Sequence, residues 1–133
     1  MKIAVIGTGV IGAGLAEGLI GSGHTVLVYN RTAAKAQALV DKGANLCLSA
    51  AQAIQDADVA ILVLPGAEAV QQVLLTDIGS GALKGKKILN ASTTKPEEIE
   101  SLAKQVSRLG GSLAEVSIMV GGEQLKAKQG EFI

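Results

Sequence analysis

The chain has 133 residues, a length that fits one domain, and 48% of them are hydrophobic, enough for a substantial core. Twelve basic and twelve acidic side chains cancel, so no overall field attracts nucleic acid or an anionic membrane. The single tyrosine and single phenylalanine are too few to stack single-stranded bases, and no apolar run reaches the ~20 residues of a membrane span. The only cysteine, Cys47, excludes an internal disulfide and fits the reducing cytoplasm.

Short apolar runs alternate with helical patterns along the chain. In chain order we predict strand Ile3–Ile6, helix Val10–Ile20, strand Thr25–Asn30, helix Ala33–Lys42, strand Ala44–Ser49, helix Ala50–Gln55, strand Asp58–Leu64, helix Ala67–Leu75, strand Lys86–Ser92, helix Pro96–Leu109, strand Ser112–Ile118 and one or two helical turns over Leu125–Gln129. Repeated strand–helix–strand units predict a doubly wound, mainly parallel sheet between two layers of helices. The chain ends in what reads as the start of another strand, so we expect residues 1–133 to be the N-terminal domain of a longer protein.

The sequence GTGVIG satisfies the pattern G-x-G-x-x-G directly after the first predicted strand and at the start of a helix. In that position Gly7 permits the tight turn, Gly9 lets the backbone approach a pyrophosphate, and Gly12 lets the helix pack close to the strand. The pyrophosphate would lie over the first N–H groups of the helix, those of Val10 and Ile11. The alternative, a glycine-rich turn without a ligand, is disfavoured by the strand–turn–helix context.

The end of the second predicted strand is where a dinucleotide-binding fold contacts the adenosine ribose. An NAD-binding fold places Asp or Glu there to accept from the 2′-hydroxyl. This chain instead has neutral Asn30, followed by Arg31, Thr32 and Lys35. A guanidinium with a hydroxyl and an ammonium nearby binds a 2′-phosphate, which a carboxylate would repel. The residues therefore predict NADP(H) rather than NAD(H); the alternative is a solvated helix N-terminus, although cations there oppose the helix dipole.

Five segments carry a resemblance to a known family: GTGVIGAGLAEGL at 7–19, GHTVLVYNRTAAKA at 23–36, ILVLPGAEAV at 61–70, NASTTKPEE at 90–98 and GGSLAEVSIM at 110–119. Together they resemble the β-hydroxyacid dehydrogenase and 6-phosphogluconate dehydrogenase superfamily, which includes the imine reductases. The resemblance covers nearly the whole chain. It implies a Rossmann-type fold with NADP(H) as cofactor, and hydride transfer between the nicotinamide and a small hydroxyacid, keto acid or imine.

The same resemblance implies roles for residues after the fourth and fifth strands. Leu64, Pro65 and Val70 would lie along the adenosine and ribose side of the cofactor. Ser92 and Thr93 would border the nicotinamide, and Ser92 would also contact the substrate. The family's catalytic residue lies on a long helix beyond Ile133, a Lys in hydroxyacid dehydrogenases and often an Asp or Tyr in imine reductases. The helical domain through which the family forms homodimers is implied to follow as well.

One departure from the family concerns the substrate. Hydroxyacid dehydrogenases carry an Asp-Ala-Pro-Val-Ser-Gly-Gly stretch, and here Glu115 stands at the Asp and Met119 at the Ser. The missing hydroxyl weakens the case for a hydroxyacid, and Ser-Ile-Met resembles the Ala-Ile-Met of imine reductases. Gly121 and Gly122 keep backbone that could bind an anion, so these two and Met119 are candidate substrate residues and the substrate class stays open.

Other chemistry-bearing residues favour structural roles. We interpret His24 as part of a helix-to-strand turn, Cys47 as an inert buried thiol, and Asp56 and Asp58 as loop and cap residues, because ligands of such folds bind at the opposite ends of the strands. No His, Cys or carboxylate cluster has metal-ligand spacing. The leading prediction is the NADP(H)-binding domain of a cytoplasmic oxidoreductase; the alternative is a non-catalytic NADP(H)-binding sensor or regulatory module.

Overall fold

The computed structural model describes residues 1–77 and 83–116, without the side chains of Ala33, Lys35, Thr76 and Asp77. Its elements in chain order are β1 (Lys2–Ile6), α1 (Val10–Gly21), β2 (Thr25–Tyr29), α2 (Ala33–Asp41), β3 (Asn45–Leu46), α3 (Ala50–Asp56), β4 (Val59–Leu62), α4 (Ala67–Gln71), a π-helical turn (Gln72–Asp77), β5 (Lys87–Asn90), α5 (Pro96–Arg108) and β6 (Ser112–Glu115). The predictions for Ile118, Met119, Gly121, Gly122 and Leu125–Gln129 fall outside the described residues.

The six strands form one sheet in the order β3-β2-β1-β4-β5-β6, and every neighbouring pair is parallel. The chain winds outward from β1 to β3, crosses back, and winds outward again from β4 to β6. This arrangement confirms the predicted doubly wound α/β fold of the Rossmann type. The order reverses between β1 and β4, which is where such sheets bind their ligands.

The core consists of two aliphatic clusters, one on each face of the sheet. On one face Ile3 and Val5 of β1 pack against Leu15 and Leu19 of α1 and against residues of α2. On the other face β1 and its neighbours pack against α3, α4, the π-helical turn and α5. The predicted three layers are therefore confirmed. A fully buried leucine or isoleucine contributes about 1.5–3 kcal/mol, which lets this core form without aromatic residues.

The strand register brings the carboxyl ends of four strands to one level. Ile6 lies beside Tyr29 of β2 and Leu62 of β4, and Leu62 lies beside Asn90 of β5. The backbone continues this alignment, because the amide N–H of Gly7 donates to the carbonyl of Tyr29 at 2.9 Å. The turns that follow these four strands consequently share one edge of the sheet, and all candidate site residues among the described ranges lie there or on the helices that follow.

Two predicted strands are shorter than expected. The last bond from the end of β3 to β2 runs from Cys47 N–H to the carbonyl of Val28 at 2.8 Å, and the N–H of Leu48, on the open side of this edge strand, donates to Oε1 of Gln52 at 2.9 Å. After Leu62 the N–H of Leu64 donates to Oγ of Ser92 at 2.8 Å, so β4 stops before Pro65. Two helix ends have common capping residues: Ser49 accepts from Gln52 N–H at 3.1 Å at the start of α3, and Gly43 follows α2 with φ 115°.

Candidate dinucleotide-binding site

Two adjoining cavities open at the carboxyl edge of the sheet. The glycine-loop cavity, of about 420 Å³, is lined by Gly7, Thr8, Gly9, Val10, Ile11, Gly12, Asn30, Val63, Leu64 and Pro65. The Tyr29 cavity, of about 220 Å³, is lined by Ile6, Gly7, Tyr29, Asn30, Arg31, Leu64, Pro65, Ala69, Gln72 and Val73. Four residues line both cavities, so the two form one cleft across the end of β1.

The three motif glycines differ in what surrounds them. A Cβ at Gly7, where φ is 102°, would overlap the carbonyl oxygen of Val63, and a Cβ at Gly12 would overlap the carbonyl oxygen of Gly7. A Cβ at Gly9 would meet no atom within 4 Å. Gly7 and Gly12 are thus required by the fold itself, whereas Gly9 borders space that the chain leaves open.

The first turn of α1 presents backbone donors to that space. Its N-cap residue is Gly9, which offers no side chain, and the first turn holds no acidic residue. The N–H groups of Val10 and Ile11 therefore have no capping side chain. Both residues are exposed, Val10 by 88% and Ile11 by 45%, so a ligand can reach this turn. A pyrophosphate fits this arrangement, because it supplies acceptors and negative charge at the positive end of the helix.

The loop between β2 and α2 forms the opposite wall. Asn30 is half-buried, its Oδ1 accepts from the N–H of Thr8 at 3.0 Å, and its Nδ2 donates to the carbonyl of Thr32 at 3.0 Å. Arg31 and Thr32 are exposed, and Arg31 lines the Tyr29 cavity. Lys35 lies in the first turn of α2, and its side chain is outside the described set. Neither cavity is lined by an Asp or Glu, so this wall is neutral to positive.

The turns after β4 and β5 are joined by a side-chain network. Besides accepting from Leu64 N–H, the Oγ of Ser92 lies 3.1 Å from the carbonyl of Leu62, to which it donates. Asn90 is fully buried; its Oδ1 accepts from Ser92 N–H at 3.1 Å and its Nδ2 donates to Thr94 Oγ1 at 3.0 Å. The only hydroxyl proton of Ser92 is thus already donated within the protein. Toward a ligand, the Ser92 hydroxyl can only accept a hydrogen bond.

The remaining predicted residues divide between the cleft and the core. Leu64 and Pro65 line both cavities, and Thr93 is exposed after β5. Val70 is fully buried in the core and lines neither cavity. Sequence reasoning missed the wall formed by Tyr29, Ala69, Gln72 and Val73, and it missed Asn90. A signal for Asn90 existed, since it is a polar residue at the end of an apolar strand run.

Residues assigned structural roles lie away from the cleft. Asp58 accepts from the backbone N–H of Lys2 at 2.8 Å, at the opposite edge of the sheet. Burial raises the pKa of the Cys47 thiol, and the charge of Asp56 raises it further, which keeps the thiol protonated and unreactive. In the described ranges no group of three or more His, Cys, Asp or Glu could hold a metal ion. No helix in those ranges is long and apolar enough to cross a membrane.

Strand order, glycine loop and cleft together define a dinucleotide-binding domain of the Rossmann type. A family model for the NAD binding domain of 6-phosphogluconate dehydrogenase matches residues 2–133. The chain belongs to this family and is an NAD(P)-binding domain of the hydroxyacid dehydrogenase and imine reductase kind.

Curated relatives include both an enzyme-like protein and a nuclear factor. The chain is 35% identical to the probable 3-hydroxyisobutyrate dehydrogenase-like 1, mitochondrial, of Arabidopsis thaliana, over 96% of this chain and 43% of that protein. It is 31% identical to the cytokine-like nuclear factor N-PAC of Xenopus tropicalis, over 93% of this chain and 23% of that protein. The chain therefore spans less than half the length of either relative.

Solved structures of oxidoreductases share the fold. An imine reductase from Pseudomonas sp. matches with a TM-score of 0.86 and 31% identity, over 92% of this chain and 43% of that one. A reductive aminase from Aspergillus terreus, in complex with NADPH and ethyl levulinate, matches with a TM-score of 0.87 and 33% identity, over 92% of this chain and 42% of that one. These likenesses agree with the family resemblance read from the sequence.

Proposed function

We propose that the cleft binds NADP(H) in preference to NAD(H). The observation that carries this proposal is the wall after β2, where Arg31 is exposed, Asn30 is neutral and no lining residue is acidic. A 2′-phosphate would find a guanidinium and the hydroxyl of Thr32 there, with Lys35 in the adjoining helical turn. The bound NADPH of the reductive aminase relative supports the same choice.

The rest of the cofactor would lie along the cleft. The pyrophosphate would accept from the N–H groups of Val10 and Ile11 in the space beside Gly9, which Gly7 and Gly12 shape. Adenosine would occupy the Tyr29 cavity against Leu64 and Pro65, with Val70 packed behind it. The nicotinamide would lie toward Ser92 and Thr93, at the ends of β4 and β5. The bound cofactor would supply or accept a hydride, and the chain's own residues hold and orient it.

We further propose that residues 1–133 are the N-terminal domain of an oxidoreductase acting on a small hydroxyacid, keto acid or imine. The names of three relatives support this: a 3-hydroxyisobutyrate dehydrogenase-like protein, an imine reductase and a reductive aminase. Ser92, Met119, Gly121 and Gly122 would contact the substrate. The general acid–base and a helical domain that forms a homodimer would lie beyond Ile133. The single cysteine fits a reducing compartment such as the cytoplasm.

A second candidate function is a non-catalytic NADP(H)-binding module. It is favoured by the likeness to N-PAC, whose name describes a nuclear factor and no reaction. Both candidates require the same cleft, so cofactor binding does not separate them. Turnover does: an enzyme oxidises NADPH in the presence of a substrate, whereas a module binds it unchanged.

Two measurements test the proposal. Calorimetric titration of the 133-residue chain should give tighter binding of NADPH than of NADH, and equal affinities would contradict the cofactor assignment. The longer protein that contains this chain should then oxidise NADPH with a member of a panel of 2-oxo acids, β-keto acids and cyclic imines. Binding without turnover across that panel would favour the non-catalytic module.

A further inference from the structure

The amide of Asn30 joins the two loops that form opposite walls of the cleft. Its Oδ1 accepts from Thr8 N–H in the glycine loop, and its Nδ2 donates to the carbonyl of Thr32 at the start of α2, both at 3.0 Å. We propose that Asn30 is a positioning residue, which holds the pyrophosphate wall and the 2′-phosphate wall in one fixed geometry. This inference rests on the proposed NADP(H) function.

The chemistry of the two partners requires an amide. Thr8 presents a donor and Thr32 presents an acceptor, so one end of the side chain must accept while the other end donates. Only one orientation of the Asn30 amide satisfies both partners. An aspartate could accept from Thr8, but its second oxygen would face the carbonyl of Thr32 and repel it. The residue that follows β2 is thus an amide, and not a carboxylate, for a reason internal to the chain.

The position of Asn30 makes this bridge relevant to both subsites. Asn30 lines both the glycine-loop cavity and the Tyr29 cavity, at their junction. The carbonyl that it holds directly follows Arg31, whose own side chain is exposed. The N–H that it holds directly precedes Gly9, beside which the pyrophosphate would lie. Loss of the bridge should therefore disturb the binding of two phosphate groups that are chemically separate.

Two cofactor fragments distinguish positioning from direct contact. ADP-ribose carries the pyrophosphate without a 2′-phosphate, and adenosine 2′-monophosphate carries the 2′-phosphate without any 5′-phosphate. We expect Asn30→Ala in the 133-residue chain to weaken both fragments by roughly three- to tenfold, the effect of one hydrogen bond. We expect Arg31→Ala to weaken only the 2′-monophosphate, by roughly tenfold or more, the effect of a charged hydrogen bond.

A matched control removes a similar amide elsewhere. Gln52→Ala deletes a side chain whose Oε1 accepts from the N–H of Leu48 at 2.9 Å after β3, and Gln52 lines neither cavity. It should leave both affinities unchanged, because its hydrogen bond lies outside the cleft. Hydrogen exchange adds a readout that needs no ligand: the Thr8 amide should be protected in the parent chain and in Gln52→Ala, and should exchange faster in Asn30→Ala.

The outcomes separate this inference from the proposed function. Weakening of both fragments by Asn30→Ala, together with faster exchange at Thr8, supports the bridge. Weakening of the 2′-monophosphate alone would make Asn30 a direct contact of the 2′-phosphate and overturn the inference, as would no weakening or an unchanged Thr8 amide. Weakening by Gln52→Ala to the same extent would overturn it too, because the effect would then be a general loss of stability. If the parent chain binds neither fragment, the proposed function itself fails and the inference with it.

Discussion

At the scale of single residues, the guanidinium of Arg31 is the group on which cofactor choice depends. Arg31→Ala should weaken NADPH binding by about 1.5–3 kcal/mol, the size of a hydrogen bond to a charged group, and leave NADH binding nearly unchanged. Calorimetric titration of both cofactors measures this. Arg108→Ala removes the same charge from the exposed end of α5, outside the cleft, and should change neither affinity. Equal losses for both cofactors in Arg31→Ala would contradict the assignment.

Cys47 makes stability depend on pH in a direction that its environment determines. Because burial, and then the charge of Asp56, raise the pKa of its thiol, the native state keeps a proton that the unfolded chain loses at high pH. The native state then binds more protons, so the free energy of unfolding falls as pH rises above about 8.5, the ordinary thiol pKa, and this contribution vanishes below it. Denaturant titrations at pH 7 and pH 9.5 should show a steeper fall for the parent than for Cys47→Ala. Equal falls would mean that the thiol is not perturbed.

At the scale of elements, the glycine loop contains one glycine that the ligand requires, Gly9, and another that the fold requires, Gly12. Gly9→Val should leave the fold intact, since its Cβ meets open space, and should abolish binding of NADPH and NADH by filling the pyrophosphate position. Gly12→Ala, although a smaller change, should destabilise the chain by about 1–3 kcal/mol, because its Cβ overlaps a backbone carbonyl. Thermal unfolding and titration check both. A folded Gly9→Val variant that binds NADPH at parent affinity would place the pyrophosphate elsewhere.

Ser92 connects the ends of β4 and β5, and we expect its hydrogen bonds to contribute measurably to the free energy of unfolding. Ser92→Ala would leave the N–H of Leu64 without its partner and remove a donor from Leu62, which should cost about 1–3 kcal/mol. Thr93→Ala, at an exposed neighbouring position, should stay within about 0.5 kcal/mol of the parent. Denaturant titration compares the two. Equal stabilities would show that the Ser92 hydroxyl is not a structural link.

Element type and order could be predicted from the sequence, because buried parallel strands appear as short apolar runs and the helices between them carry recognisable caps. The end of β4 could not, because a side chain distant in sequence binds the next free N–H: Ser92 accepts from Leu64 N–H across a separation of 28 residues. The π-helical turn after Gln71 was also missed, since a short apolar pattern fits both helix types. It contributes Gln72 and Val73 to the cleft, which explains why that part of the wall was not predicted.

Candidate site residues could be predicted where a sequence motif fixes the backbone geometry. They could not be predicted where their contacts depend on how separate parts of the chain pack together. Gly9 and Arg31 follow from the positions of the glycine motif and of the end of β2. The bridge made by Asn30 depends on how closely two loops approach, and Asn90 acts through buried contacts after β5. The pattern of apolar and polar residues along the chain shows neither the approach of the two loops at Asn30 nor the buried contacts of Asn90.

At the scale of the whole molecule, the sheet places every described cleft residue at one edge and supplies binding rather than acid–base chemistry. The residues that line the two cavities include no Asp, Glu, His, Lys or Cys. The titratable side chains among them are Tyr29 and Arg31, both at the end of β2. β1 and β4 separate β2 from β5, where the nicotinamide would lie. Protonation of a substrate at that end therefore requires a group from outside these lining residues.

The 133-residue chain should accordingly bind NADP(H) weakly and catalyse no reduction. An open nicotinamide end neither excludes water nor holds a substrate in a reactive geometry, and the described cleft offers no general acid–base there. Absorbance at the NADPH band, followed with 2-oxo acids, β-keto acids and cyclic imines, should remain constant while calorimetry still detects binding. Efficient NADPH oxidation by a verified 133-residue product would contradict this expectation. The search for the catalytic group would then turn to Ser92 and Lys95, beside the end of β5, and to Lys126.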